Sequence, residues 1–236
     1  MRVCFLTSTY PRNEQDGIAS FVKSLAQALV SLGHQVVVVA PYDPAVAEMD
    51  QGGVEVHRFR YAPWSDRYLV GHGRGMHADV RLSRAAPFLM PGFVTAALLR
   101  TLALHRRQPL DIIHAHWALP GGLMGGIAAK LTGRPLVIGL HGSGVHFAGA
   151  NGLYRAAARF GFRGASHLIA CSRNLRDGAI ALGADRERVS VIPYGVDAAR
   201  FSSGEGDAFR RRLGLSSDAP VIGAMGRFAE KKGFDR

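Results

Sequence analysis

Four consecutive valines, Val36 to Val39, follow a helix stop at Gly33 and lead into Ala40. An apolar run without polar alternation has no solvent face. A strand built from it must be covered on both sides, as strands of parallel sheets are. The upstream segment supplies one cover. Val3 to Thr7 reads as a short apolar strand, Ser8 to Asp16 as a polar loop with Pro11, and Gly17 as the start of an amphipathic helix running to Leu32. Ile18, Phe21, Val22, Leu25, Ala26 and Leu29 recur there at three-to-four spacing and form one buried face. Strand, helix and strand in this order make a β-α-β unit. The fold class it implies is α/β, a Rossmann-like doubly wound parallel sheet.

The pattern continues downstream. Gly53 to Arg60 alternates, as a strand nearer a sheet edge does, and Tyr61 to Arg84 is a long connection containing Trp64, Tyr68, Leu69 and Val70. Connections of that length usually serve function or move. Phe88 to Leu104 is strongly apolar and ends in His105-Arg106-Arg107. It reads as a packed layer helix; a membrane-surface element using Arg81, Arg84 and Arg100 is the alternative. Asp111 to Ala115 is a strand leading into His116-Trp117, followed by a helix from Leu119 to Leu131 whose glycines suit close packing on a sheet. Pro135 to Leu140 is a buried strand ending at His141-Gly142-Ser143-Gly144. A helix (Leu153 to Phe162), a strand (Ser166 to Cys171), a helix (Asn174 to Leu182) and a last strand (Arg188 to Pro193) complete a domain over residues 1–194. Residues 195–207, rich in Ser and Gly, read as a linker. Residues 208–236 then begin a second Rossmann-like domain with a buried strand from Ala219 to Met225. One strand and one short helix cannot bury a core, so that domain is expected to be incomplete within this sequence.

Charge narrows the partners. The formal net charge is +11, from 29 Lys and Arg that are mostly Arg, against 18 Asp and Glu. Such a surplus suits phosphate-bearing partners, although arginine on solvated faces would give the same count. No nucleic-acid recognition motif accompanies the charge, so no nucleic-acid partner is expected. The two cysteines, Cys4 and Cys171, lie in apolar runs without metal spacing and read as free thiols of a reducing compartment, hence a cytoplasmic protein. The N-terminal apolar run is too short for a signal peptide, and no run approaches ~18 uninterrupted apolar residues, so no transmembrane helix is expected. Peripheral contact with the inner membrane face is the remaining membrane option.

Parallel α/β sheets bind ligands beyond the carboxyl ends of their strands. Gly17 stands at a predicted helix start, where free N–H groups and the positive dipole end attract phosphate. His116 and His141 each end a predicted strand. Gly226 and Arg227, then Lys232 and Gly233, follow the last apolar run, in a turn that offers backbone N–H groups and fixed cations to a pyrophosphate. A nicotinamide-dependent oxidoreductase fits poorly. The first strand is followed by Thr7-Ser8-Thr9-Tyr10-Pro11 and not by G-x-G-x-x-G, and no acidic residue terminates the second.

Taken in order, these elements resemble the retaining glycosyltransferases of the GT-B two-domain fold, the family that includes sucrose synthase and bacterial mannosyl- and N-acetylglucosaminyltransferases. The marks are the Gly17 segment with Phe21, Leu25, Ala26 and Leu29, then Gly33-His34-Gln35-Val36, Asp111 to Trp117, His141-Gly142-Ser143, Val191 to Asp197 with Phe201, and finally Gly226-Arg227 with Lys232-Gly233. The resemblance spans essentially the whole chain. It implies a hexosyl transfer from a nucleotide-diphosphate sugar to a hydroxyl acceptor (polysaccharide, lipid or polyol) with retention. Arg227 and Lys232 match the cations that stabilise the departing diphosphate, which is charge placed where negative charge develops. His141 matches the histidine near the transferred sugar. Gly17 matches the glycine approaching the donor phosphate or the acceptor, and Gly142, Ser143, Gly226 and His116 line the cleft. No cofactor is implied, and without an Asp-x-Asp pattern no metal. Two departures bear on the acceptor side: Asp16 precedes the single matching Gly17 where the family often has a glycine pair, and Gly144 stands where it often has Asp. The family's paired glutamates would lie past Arg236. The chain is therefore expected to be an acceptor-side domain with the first donor-side loop, a fragment transferring little sugar without the missing C-terminal domain. A non-catalytic truncated binding or partner module is the alternative.

Overall fold

The structure is a computed structural model that describes residues 1–63, 68, 70–71, 86–149, 151–196, 198–202 and 204–225. Two compact units divide the chain, Met1–Tyr194 and Gly195–Arg236.

In the first unit the element order is β1 (Arg2–Leu6), α1 (Ser20–Ser31), β2 (Gln35–Pro41), β3 (Glu55–Phe59), α2 (Ala86–Arg107) and β4 (Ile112–His116). An irregular turn, Ala118–Gly122, with Leu119 extended, then runs into α3 (Leu123–Thr132). β5 (Leu136–Leu140), α4 (Ser143–Ala148), α5 (Gly152–Gly164), β6 (His167–Ala170), α6 (Arg173–Ala181) and β7 (Val189–Val191) complete it. The seven strands form one sheet in the order β3-β2-β1-β4-β5-β6-β7, and every pairing is parallel. The sequence winds one way from β1 to β3 and the other way from β4 to β7. The topological switch lies between β1 and β4, where Val3 pairs with Ile112 and Leu6 with Ala115.

The valine run behaves as its composition requires. Val37 and Val39 join Cys4, Leu6, Phe93 and Ala97 in the core on one face of the sheet. Val36 and Val38 join Val3, Phe5, Val22 and Ala26 in the core on the other. The first face is covered in part by α2 and the second by α1. Burying a valine stabilises by about 1.5–3 kcal/mol, so the four together specify register as well as layer.

α2 separates two properties that often travel together. From Phe88 to Arg107 it is long and apolar enough, by length and composition, to cross a bilayer. Counting uninterrupted apolar residues misses it because Thr95, Arg100 and Thr101 break the run. Phe93, Ala97, Thr101 and Leu104 are nevertheless buried in the first unit, and the Thr101 hydroxyl donates to the Ala97 carbonyl at 2.9 Å. This helix is a layer of the fold. Arg81, Arg84 and Trp64, named in the membrane alternative and the long connection, lie outside the described residues.

The glycine-rich segment after β4 packs as closely as expected. A Cβ on Gly121 would stand 1.9 Å from the His116 carbonyl oxygen, so only a glycine lets this turn close against the strand end.

The second unit departs from expectation. Helices α7 (Ala198–Ser202) and α8 (Gly206–Arg212) are formed, the first of them inside the expected linker. The strand expected at Ala219 to Met225 is not: these residues are irregular, and Ile222 and Met225 are each 99% exposed. A strand needs a hydrogen-bonding neighbour. Among the described residues of this unit none pairs with it.

Candidate functional site

The crevice at the switch point is where a doubly wound sheet presents its strand ends. β4 ends at His116, and β5 delivers His141 immediately after Leu140. The two rings lie nearly parallel, 17° apart, with His116 Nδ1 2.9 Å from His141 Nε2. On its other side, His141 Nδ1 is 2.8 Å from the hydroxyl of Tyr194, which stands beyond the end of β7. The sequence-predicted pair is thus joined into a three-residue chain by a tyrosine 53 positions away.

Aromatic side chains frame this chain. Phe21, from the first turn of α1, has its ring centroid 4.8 Å from that of His141 and 4.6 Å from that of Tyr194. Trp117 sits edge-on to His141 at 5.3 Å. Its backbone is left-handed at φ 70°, which a non-glycine residue rarely adopts. Two backbone bonds hold it there. The Trp117 N–H donates to the Gly139 carbonyl at 2.8 Å, and its own carbonyl accepts from the Gly122 N–H at 2.9 Å. Strain held at a strand end beside polar rings is a frequent property of functional sites. Beneath, His114 stacks on His116 at 4.4 Å, and Phe5 of β1 abuts both.

This apolar setting keeps the histidines neutral. Burial pushes His114 down to about 4, and it lowers His116 well below the usual imidazole range, with His114 and His141 adding to the effect. Burial, then the neighbouring His114, takes His141 down to about 3. The Tyr194 phenol moves the opposite way: burial raises it, and its bond to Cys171 adds to the rise. At neutral pH the cluster exchanges hydrogen bonds without carrying charge.

Gly142 and Ser143 lie where the β5 end turns into a helix. Gly142 has φ 98°, a conformation that favours glycine. Ser143 opens α4, a helix beyond those expected from the sequence. Gly144 rests against the backbone after β4, with a would-be Cβ 3.2 Å from the Ala118 nitrogen. That contact gives a reason for its lack of a side chain.

Gly17 is placed differently from expectation. The helix starts at Ser20, not Gly17, and its cap Ala19 takes the left-handed conformation at φ 55°. Gly17 is an exposed loop residue with nothing within 4 Å of where a Cβ would stand. Its neighbour Asp16 organises the loop. One carboxylate oxygen accepts from the Arg12 backbone N–H at 3.1 Å and from Arg12 Nε at 2.7 Å, and the other accepts from the Ile18 N–H at 3.3 Å. Burial alone would raise the Asp16 carboxyl; the bonds from Arg12 outweigh it and hold it below its usual value. Gly226, Arg227 and Lys232 lie outside the described residues. Among the described residues no group of His, Cys, Asp and Glu is arranged to hold a metal ion.

Sequence reasoning missed Tyr194 as a neighbour of the histidines. The signal was available for Tyr194: it follows Pro193 beyond a parallel strand, the rule that had singled out His116 and His141.

Known proteins place this arrangement. A curated relative named as a teichuronic acid biosynthesis glycosyltransferase, TuaC of Bacillus subtilis (strain 168), is 28% identical over 99% of this chain and 60% of its own length. D-inositol 3-phosphate glycosyltransferase 1 of Catenulispora acidiphila is 31% identical over 93% of this chain and 50% of its own. The chain thus spans between half and three fifths of the length of these two relatives. Among solved structures, HepE of Anabaena in complex with UDP-glucose superposes with a TM-score of 0.61 at 19% identity, covering 91% of this chain and 50% of that one. Residues 16–195 match the family described as Glycosyl transferase 4-like domain, the stretch that holds His116, His141 and Tyr194, and to that family the chain belongs.

Proposed function

We propose that the chain is the acceptor-side part of a GT-B glycosyltransferase that moves a hexosyl group from a nucleotide-diphosphate sugar to a hydroxyl acceptor with retention of anomeric configuration. The observation that carries this reading is the family match over residues 16–195, on a doubly wound sheet whose strand ends bring His116, His141 and aromatic rings together. Polar rings that accept and donate without charge, framed by Phe21, Trp117 and Tyr194, suit the hydroxyl-studded faces of a sugar. Cell-envelope polysaccharide or lipid is the acceptor class that goes with the TuaC likeness. In this reading Arg227 and Lys232 hold the donor pyrophosphate and stabilise the departing diphosphate, with no metal or cofactor.

Transfer then needs more of a donor-binding domain than Gly195–Arg236 provides, which fits the share of the relatives that the chain covers. A cytoplasmic location, with peripheral contact at the inner membrane face, goes with the same reading; the free thiols Cys4 and Cys171 and the surplus of arginine support it.

The test is a transfer assay with a panel of nucleotide sugars, run on the protein carrying its whole donor-side domain. Arg227→Ala and Lys232→Ala should each lower kcat by ~10²-fold or more, as removing preorganised charge at a developing anion does. Unchanged rates in both variants would overturn the assignment. A parent protein that transfers no sugar would leave the non-catalytic module in its place.

A further inference from the structure

The three-residue chain in the crevice has a direction, and the direction assigns a role to a residue that touches no ligand. His116 is wholly buried, and its Nε2 has no hydrogen-bond partner among the described residues. Its Nδ1 faces His141 Nε2 at 2.9 Å. A neutral imidazole carries one proton. With that proton on Nε2, the ring would bury an N–H facing no acceptor. With it on Nδ1, only a bare lone pair is left over, and orphaned buried N–H groups are the rarer of the two defects. His116 therefore donates to His141 Nε2. His141, also neutral, then carries its proton on Nδ1 and donates to the Tyr194 oxygen. Both ring protons find an acceptor in this order, whereas the reverse order strands a proton at His116.

We propose that His116 is the positioning residue of His141: it holds His141 Nε2 as an acceptor, so that Nδ1 offers an N–H to a substrate oxygen at the place now filled by the Tyr194 hydroxyl. His141 then works as a hydrogen-bond donor to a sugar hydroxyl and not as the base that deprotonates an acceptor. Two features favour this use of the pair. Gly139 leaves the space in which the rings meet, since a Cβ there would lie 2.6 Å from His141 Nε2. Tyr194 is about half exposed, 49%, so its hydroxyl is the replaceable end of the chain. His116, at the sealed end, is not. The substrate role rests on the transferase reading; the tautomer does not.

Nitrogen-15 NMR of the 236-residue chain labelled at its histidine rings tests the tautomer without any activity. His116 and His141 should both carry the proton on Nδ1, and an Nε2 proton on His141 would overturn the proposal. Two variants of matched shape separate positioning from packing. His116→Asn keeps a donor close to the place of Nδ1, and His116→Leu removes it. His141 should keep its Nδ1 proton in both variants, because the Tyr194 oxygen still accepts it, and its Nε2 resonance should lose the shift of a hydrogen-bonded acceptor in the Leu variant alone. An unchanged His141 Nε2 resonance in His116→Leu would sink the positioning role; if that variant does not fold, the wild-type and Asn spectra still decide. In the transfer assay His116→Leu should lose about tenfold or more in kcat/KM while His116→Asn stays within about threefold. Equal losses in both would reduce His116 to a packing residue. A wild-type protein with the expected tautomers but no transfer would count against the transferase reading and leave the direction of the chain standing.

Discussion

Val36 to Val39 and Ala219 to Met225 are both apolar runs that sequence pattern assigns to buried strands, and they end in opposite states. The first is paired on both edges, β1 on one side and β3 on the other, with its valines at 2% exposure or less. The second forms no ladder, and its Ile222 is 99% exposed. Side-chain composition is the same kind of signal in both. The difference lies in what surrounds them: a sheet between two helical layers in the first unit, two short helices in the second. An apolar run encodes a demand for burial, and neighbours decide whether it is met.

The largest effect that tests this contrast is in β2. Val38→Asp buries a carboxylate with no partner in the α1-side core, and it should cost more than about 4 kcal/mol, enough to unfold the first unit. A urea transition close to the wild-type midpoint would break the contrast at its stronger end.

Acid acts on the same unit alone, because residues 195–236 contain no histidine. His114 has its folded value lowered to about 4, below the ~6.5 of an unfolded histidine. Between those values the unfolded chain binds the extra proton. The stability is therefore complete above pH ~6.5 and is lost as pH falls towards 4, by up to ~1.4 kcal/mol per pH unit per histidine, with His116 and His141 adding in the same sense. Urea midpoints measured from pH 7 to pH 5, above the range of ordinary carboxylates, should fall steadily. A flat profile would mean that these rings are not held neutral.

The smallest effect belongs to the second run. Ile222→Ser and Met225→Ser should each change stability by no more than ~0.5 kcal/mol in this chain, since neither side chain is buried. A larger loss in thermal unfolding would show that the run is packed after all.

The fold of the first unit was legible because it rests on local periodicity: the valines, the spacing in α1, and the strand ends at His116 and His141. Parallel pairing, the edge position of β3 and the close glycine packing after β4 all follow from such signals. The site was legible in part. Strand-end logic reached the two histidines, but Tyr194 enters through a contact between residues 53 positions apart, and Phe21 stands in the sequence as an apolar face residue and a family mark, not as a site residue. Helix α4 is too short for its spacing to announce it, and Gly142 supplies the turn that launches it. The apolar spacing begins at Ile18 and so puts the start of α1 at Gly17, whereas Ala19 takes a left-handed conformation and the helix begins at Ser20.

Gly121 has a consequence for how such a crevice can change over generations. With 1.9 Å between a would-be Cβ and the His116 carbonyl, no side chain enters there without moving the end of β4, and with it His116 and Trp117. The floor of the crevice is closed to stepwise variation. A lineage that altered what the crevice holds would do so at its rim, through Phe21, Trp117 and Tyr194, whose rings can be exchanged one at a time above a floor that stays the same.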